Sequence, residues 1–387
     1  MISLMFIFMS ALIYYPGLSD FAEKFTVPKD FALSLMSTVC TFSLYARWAK
    51  GKYLALPLLF PIVIYVALSL LSLKNALSWH LVFKQISFDL MGFSFFWHVV
   101  NSINPKQVRG ILWLLLITVS IPAGISFLGF DIRTAWSSIF GNPEYGAGLS
   151  AIGLAVSVGL IKYAWPLSIL LTTHLVLAEA RSAILGLFLG TGIVLWLRGF
   201  AKLKPILITT VIIVILALLM VSGPVAHRLR QSGSQWSLTT DPARTHIYSA
   251  SMQYLQQYPL FGLGRGNFAL HSYSFVYNYG GASLAHRLYF SYLHNDYLQL
   301  WLEAGPVALG VWFFILWRVL WPIPTSLLGA GLFIGLVAEL FRGLFLFPFQ
   351  LGPDVAYFWI VAGLYWVIRE SKYDDKRSLN SPSFLSA

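Results

Sequence analysis

Charge is scarce in this sequence: only 11% of its 387 residues are Asp, Glu, Lys or Arg. Water-soluble domains carry about a quarter, so a soluble globule is excluded. Cysteine is scarcer still. Cys40 stands alone inside an apolar run, which leaves no disulfide framework and no thiol metal site. Lysine is missing altogether from 205 to 371, although the net charge of the whole chain is +11. That positive excess does not point to nucleic acid, because most of it flanks apolar runs, the pattern that orients a chain in a membrane. No internal repeat and no soluble catalytic domain is visible. The external segments hold no His-Glu-x-x-His, no Cys/His cluster and no paired Asp motif, so metal catalysis finds little support. A magnesium site would have to be assembled from Asp241, Asp296 and Glu303.

What the sequence does have is apolar length. Its hydrophobic residues make up 58% of the chain. They fall in stretches of about 17–25 residues, the length that crosses a hydrocarbon core as helix. The fold class is therefore all-α: a polytopic inner-membrane bundle of about twelve transmembrane helices. The expected spans are approximately 2–18, 30–46, 53–73, 79–100, 109–129, 145–161, 165–181, 182–198, 205–222, 292–317, 321–345 and 354–369. No basic residue precedes Met1–Leu18, which reads as a retained span rather than a cleaved signal peptide. Alternate connections concentrate the basic residues, as at Arg47, Lys50 and Lys52 or at Lys202 and Lys204. That alternation sets both termini in the cytoplasm and the long polar interval 223–290 in the periplasm. The chain divides into N-terminal spans 1–129, a core 130–320 containing that loop, C-terminal spans 321–369 and a cytoplasmic tail 370–387, polar and expected to be disordered.

The external loop is rich in arginine and poor in acid. Arg228, Arg230, Arg244, Arg265 and Arg287 face a single acidic residue, Asp241. The rigid guanidinium fork pairs two-to-two with phosphate oxygens and stays charged, so such a loop beside a membrane suits a diphosphate or an anionic headgroup. Some of these arginines, Arg228, Arg230 and Arg287 above all, equally suit plain exposure to water. Arg244 follows Asp241-Pro242, a helix start, and so lies in a first turn whose free N–H groups also favour an anion. Arg265 sits in Pro259-Leu-Phe-Gly-Leu-Gly-Arg-Gly-Asn-Phe268, whose glycines let backbone approach a ligand closely. Arg181, beside Glu179 at the outer end of a span, is the third candidate, with a helix-tying Glu–Arg pair as the alternative.

Downstream, Tyr292-Leu-His-Asn-Asp-Tyr-Leu-Gln-Leu-Trp-Leu-Glu-Ala-Gly-Pro306 leads a helix into lipid. Ionisable groups at such a depth are functional suspects. His294 can accept a proton at neutral pH and so serve as general base toward a sugar hydroxyl. Asp296 and Glu303 lie seven apart on one helical face with Gln299 between them. With Asn295, they are candidates to orient the histidine, hold an acceptor or form a structural stripe.

In order and spacing, four pieces resemble the bacterial O-antigen ligase and O-antigen polymerase superfamily of membrane glycosyltransferases. They are Phe140-Gly-Asn-Pro-Glu144, Glu179-Ala-Arg-Ser-Ala-Ile-Leu-Gly186, Arg244 followed by Pro259-Leu-Phe-Gly-Leu-Gly264, and His294-Asn-Asp-Tyr-Leu-Gln-Leu-Trp-Leu-Glu-Ala-Gly305. The resemblance implies an undecaprenyl-diphosphate-linked glycan as donor, bound at the periplasmic face, and transfer to an acceptor hydroxyl without metal, cofactor or nucleotide sugar. It implies that Arg181 and Arg244 hold the diphosphate, that Arg265 occupies a looser position of the pattern, and that His294 is the base. Tyr292 stands where the usual form of the motif has a second histidine.

The acceptor is lipid A–core for a ligase, the reading favoured here, or a second lipid-linked repeat for a polymerase. A transporter of lipid-linked glycan would instead place charges and helix breaks at mid-membrane in two similar halves. A scaffold for polysaccharide assembly gives no reason for lysine to vanish from the loop.

Overall fold

The computed structural model describes residues 21–128, 143–177, 181–198, 242–258, 260–272, 292–323 and 326–380. The expected spans 2–18 and 205–222, most of the 223–290 loop including Arg228, Arg230, Asp241 and Arg287, and Glu179 lie outside these. Among the described residues every regular element is helical. They are α1 (Phe21–Ala49), α2 (Leu59–Leu71), α3 (Trp79–Ser102), α4 (Pro105–Leu128), α5 (Pro143–Gly159), α6 (Ile161–Leu177), α7 (Arg181–Arg198), α8 (Pro242–Gln257), α9 (Asp296–Leu320), α10 (Leu327–Arg342) and α11 (Gly352–Asn380). Single 3-10 turns at Ser72–Asn75 and Pro348–Gln350 extend α2 and precede α11.

Ten of the expected spans thus coincide with helices. The stretches Pro105–Gly124 and Asp296–Leu320 are long and apolar enough to cross a membrane. Two boundaries differ from the hydropathy reading. α2 begins late because Leu58 takes a left-handed conformation (φ 66°) that the helix cannot include. α11 continues to Asn380, past the start of the supposed disordered tail. No proline or glycine interrupts Ser371–Asn380, and extending a formed helix costs far less than starting one.

Close backbone approach holds the bundle together. α10 lies between α5 and α7, and glycines line both seams. A Cβ at Gly186 of α7 would come within 2.7 Å of the Ala338 carbonyl, and one at Gly190 within 3.1 Å of Ile334. On the other side, a Cβ at Gly331 would meet the Ala155 carbonyl at 2.5 Å. With no hydrophobic force to drive helices together in lipid, small residues that let helices touch supply the packing. α11 packs on α3, where Trp359, fully buried, fills the space that Gly92 leaves open. Large apolar side chains face outward instead, Phe31, Phe42, Phe60 and Trp196 among them, as a lipid-facing surface requires.

A second, smaller core sits at one end. Ile247 and Leu255 of α8, Leu263 and Phe268 of the following segment, and Leu293 and Leu302 around the start of α9 are packed together. This cap presents the residues singled out in the sequence. Substituting Gly186 by Val should lower stability by about 1–3 kcal/mol through overpacking. Gly192→Ala, a site with open space around it, should be neutral. Thermal unfolding in detergent compares the two.

Candidate active site

Three elements converge at this end: α8, the glycine-rich segment 260–268 and the first two turns of α9. The junction is a break in α9. Gly305 adopts φ 88° and ψ 169°, outside helical space, and Pro306 follows it without an N–H. The helix therefore loses the donors that would satisfy the carbonyls of Leu302 and Glu303. Leu263 and Gly264 provide them instead, donating their N–H groups to Leu302 O at 2.9 Å and Glu303 O at 3.0 Å. The segment thus docks on the break as a substitute for the next helical turn.

The glycines of the segment serve this docking. Gly262, Gly264 and Gly266 all have positive φ (66°, 107° and 73°). A Cβ on Gly262 would collide with the Glu303 backbone, and one on Gly305 with the Leu260 carbonyl. The sequence suggested close approach to a ligand. The structure shows close approach of protein to protein.

Arg265 requires a similar correction. It is only 2% exposed. Its Nη1 donates to Glu303 Oε2 at 2.8 Å and its Nη2 to Asp89 Oδ2 at 3.4 Å. Its own N–H donates to Ser72 Oγ at 2.9 Å, and the Tyr65 hydroxyl donates to the same Asp89 oxygen at 3.0 Å. Burial alone would lower the guanidinium pKa; Tyr65, Asp89 and Glu303 outweigh it and hold that pKa above the usual arginine value. A guanidinium committed to two buried carboxylates has its charge matched, so Arg265 secures the cap to α3 and α9 rather than reaching out for a diphosphate.

Glu303 closes the cluster. Besides Arg265 its carboxylate accepts from Gly266 N at 2.8 Å, Phe268 N at 3.2 Å and Gln299 Nε2 at 2.9 Å. It is fully buried, a structural anchor and not an acceptor site. Asp296 is bound elsewhere, to Phe349 N at 2.9 Å and Gln350 Nε2 at 3.2 Å. The two acids share a helix face but not a ligand position.

His294 is half-buried just before α9 and has a positive φ of 56°. Such a conformation is uncommon for a residue with a Cβ and persists only when the surroundings fix it. Here they do. The Tyr248 hydroxyl donates to the His294 carbonyl at 3.1 Å, and Leu293 N donates to Gln299 Oε1 at 3.0 Å. Asn295 caps α9, its side chain accepting from Leu298 N at 2.9 Å. Asp296 N donates to Gly343 O at 2.8 Å. His271, another histidine of the cap, is buried, and that burial lowers its pKa.

The arginines are placed by register. α8 starts at Pro242 as the Asp-Pro pair suggested, so position 244 lies in its first turn. Tyr248, four residues on, shares a helix face with it and bonds the His294 backbone. Arg181 is the first residue of α7 and exposed. Gly186 packs on Ala338 and Gly190 on Ile334, so α7 and α10 run antiparallel. Carried back five residues, that register sets Arg181 level with Gly343, the residue bonded to Asp296. Positions 181 and 244 and His294 therefore share one end of the bundle.

Sequence reasoning missed the connection between α10 and α11. There Arg342 is buried and donates to Glu339 and, at 3.3 Å, to Asp354, against the open face of Gly148. Three charges so close to helix ends were a readable signal. The Phe347 ring stands edge-to-face to the His294 imidazole with centroids 5.0 Å apart, and is stacked on Tyr292 at 4.2 Å.

Replacing Glu303 by Gln should cost about 3–5 kcal/mol, because it leaves a buried guanidinium short of a partner. Combined with Arg265→Leu, the loss should be well below the sum of the single losses. Unfolding of the four proteins of this cycle in detergent tests both statements.

No curated protein matches this chain. Residues 166–313, from within α6 past the break in α9, match the family described as O-antigen ligase. That match takes in Arg181, Arg244 and His294 together with the docked segment and the break that receives it. Over those residues the chain is similar to the O-antigen ligase family.

Proposed function

We propose that the protein is an O-antigen ligase-type glycosyltransferase of the bacterial inner membrane, moving a glycan from an undecaprenyl-diphosphate donor to a hydroxyl of lipid A–core at the periplasmic face. The observation that carries this reading is the Tyr248–His294 hydrogen bond, which ties the helix bearing Arg244 to the strained turn bearing the histidine.

In the reaction the acceptor hydroxyl gives its proton to His294 as its oxygen attacks the anomeric carbon. The bond from that carbon to the diphosphate oxygen breaks, and the electron pair leaves with the undecaprenyl diphosphate. Negative charge grows on the leaving group, where Arg181 and Arg244 meet it as fixed donors. Preorganised charge of this kind lowers a barrier by several kcal/mol per contact in a water-poor site. Direct displacement inverts the anomeric centre. Arg265, Glu303 and Asp296 hold the frame in which these groups meet.

With purified protein and a lipid-linked oligosaccharide, His294→Ala should abolish transfer while donor binding persists. Arg244→Ala and Arg181→Ala should cut transfer by about 100-fold or more and weaken donor binding. Offering lipid A–core and a second donor molecule as rival acceptors separates ligase from polymerase. Product on the second acceptor alone would replace the ligase reading, and wild-type turnover by His294→Ala would remove the base.

A further inference from the structure

We propose that Phe347 is a positioning residue for His294, and that Asp296 holds it in place through the 343–350 connection. The inference rests on the reading of His294 as the base, and it brings into the site a segment beyond the residues that match the family.

The connection has little structure of its own. α10 ends at Arg342, a turn follows, and a single 3-10 turn spans Pro348–Gln350 before α11. What fixes it is α9. Asp296 donates its N–H to Gly343 O at the start of the connection and accepts from Phe349 N and Gln350 Nε2 at its end. One residue thus clamps both ends of a loop whose middle carries Phe347. The neighbouring bonds run the same way: Tyr297 donates its hydroxyl to Leu340 O at 2.6 Å, and Gln85 of α3 donates to Phe349 O at 3.2 Å.

Phe347 is 6% exposed, so its ring is not a free platform for substrate. It is wedged between Tyr292 and His294, the residues two apart at the mouth of α9, stacked on the first and perpendicular to the second. The backbone bonds described above fix the Cα of His294. A perpendicular aromatic ring packed against the imidazole at 5.0 Å restricts its side-chain torsions. A base must meet the proton it takes within hydrogen-bond reach, and a small misplacement is costly in rate.

The test uses the full chain in nanodiscs, an undecaprenyl-diphosphate-linked oligosaccharide as donor and an acceptor that the wild type uses. Phe347→Leu and Asp296→Asn should each lower kcat roughly 10- to 100-fold. Donor KM should stay within about two-fold, because the groups that hold the diphosphate are untouched. Asparagine keeps the size of Asp296 but accepts from only one of its two donors. Wild-type kcat in either folded variant overturns the proposal, as does a rise in donor KM that matches the loss of kcat. If Phe347→Leu does not fold, Asp296→Asn decides. If neither folds, the connection holds the bundle rather than the ring, and the proposal also falls. An active His294→Ala would instead sink the base assignment, so the two failures remain distinct.

Discussion

Four hydrogen-bond donors converge on the carboxylate of Glu303: a guanidinium, two backbone amides and a glutamine side chain. The same residue offers its carbonyl to Gly264 across the break in α9. A buried carboxylate is tolerable only when fully matched, and here three of the four matching groups come from the segment that must be held. The break creates orphan acceptors, the segment brings orphan donors, and the charge of Arg265 binds the pair to Asp89 of α3. The turn at His294 rests on this joint.

The arginines differ in their surroundings. Arg265 and Arg342 are each sunk between two acids and fasten helices to one another. Arg181 stands exposed at the first residue of its helix, and position 244 lies in a first turn, where N–H groups without helical partners face outward. The absence of lysine from residues 205–371 suits the buried pair, since a forked cation can join two carboxylates.

Hydropathy made the helices legible because each buries its backbone bonds within itself, so composition over about twenty residues is enough to find them. The start of α8 was legible in Asp241-Pro242. The partner of Arg265 was not. Asp89 lies 176 residues away in sequence, where it reads only as a flaw in an apolar span. The glycines of 262–266 looked like a ligand cradle because sequence reveals that backbone comes close but not to what. The 343–350 connection is short and almost uncharged, so nothing local marks Phe347, whose meaning comes from an acid on another helix.

The break at Gly305–Pro306 bears on how the chain is assembled. A helix with two bare carbonyls is a poor passenger in hydrocarbon, where each uncompensated group costs several kcal/mol. Only with residues 260–268 docked are both carbonyls satisfied, so burial of the break and docking of the segment are one requirement. The two halves of the joint, a broken helix and a glycine-rich segment, are each incomplete without the other.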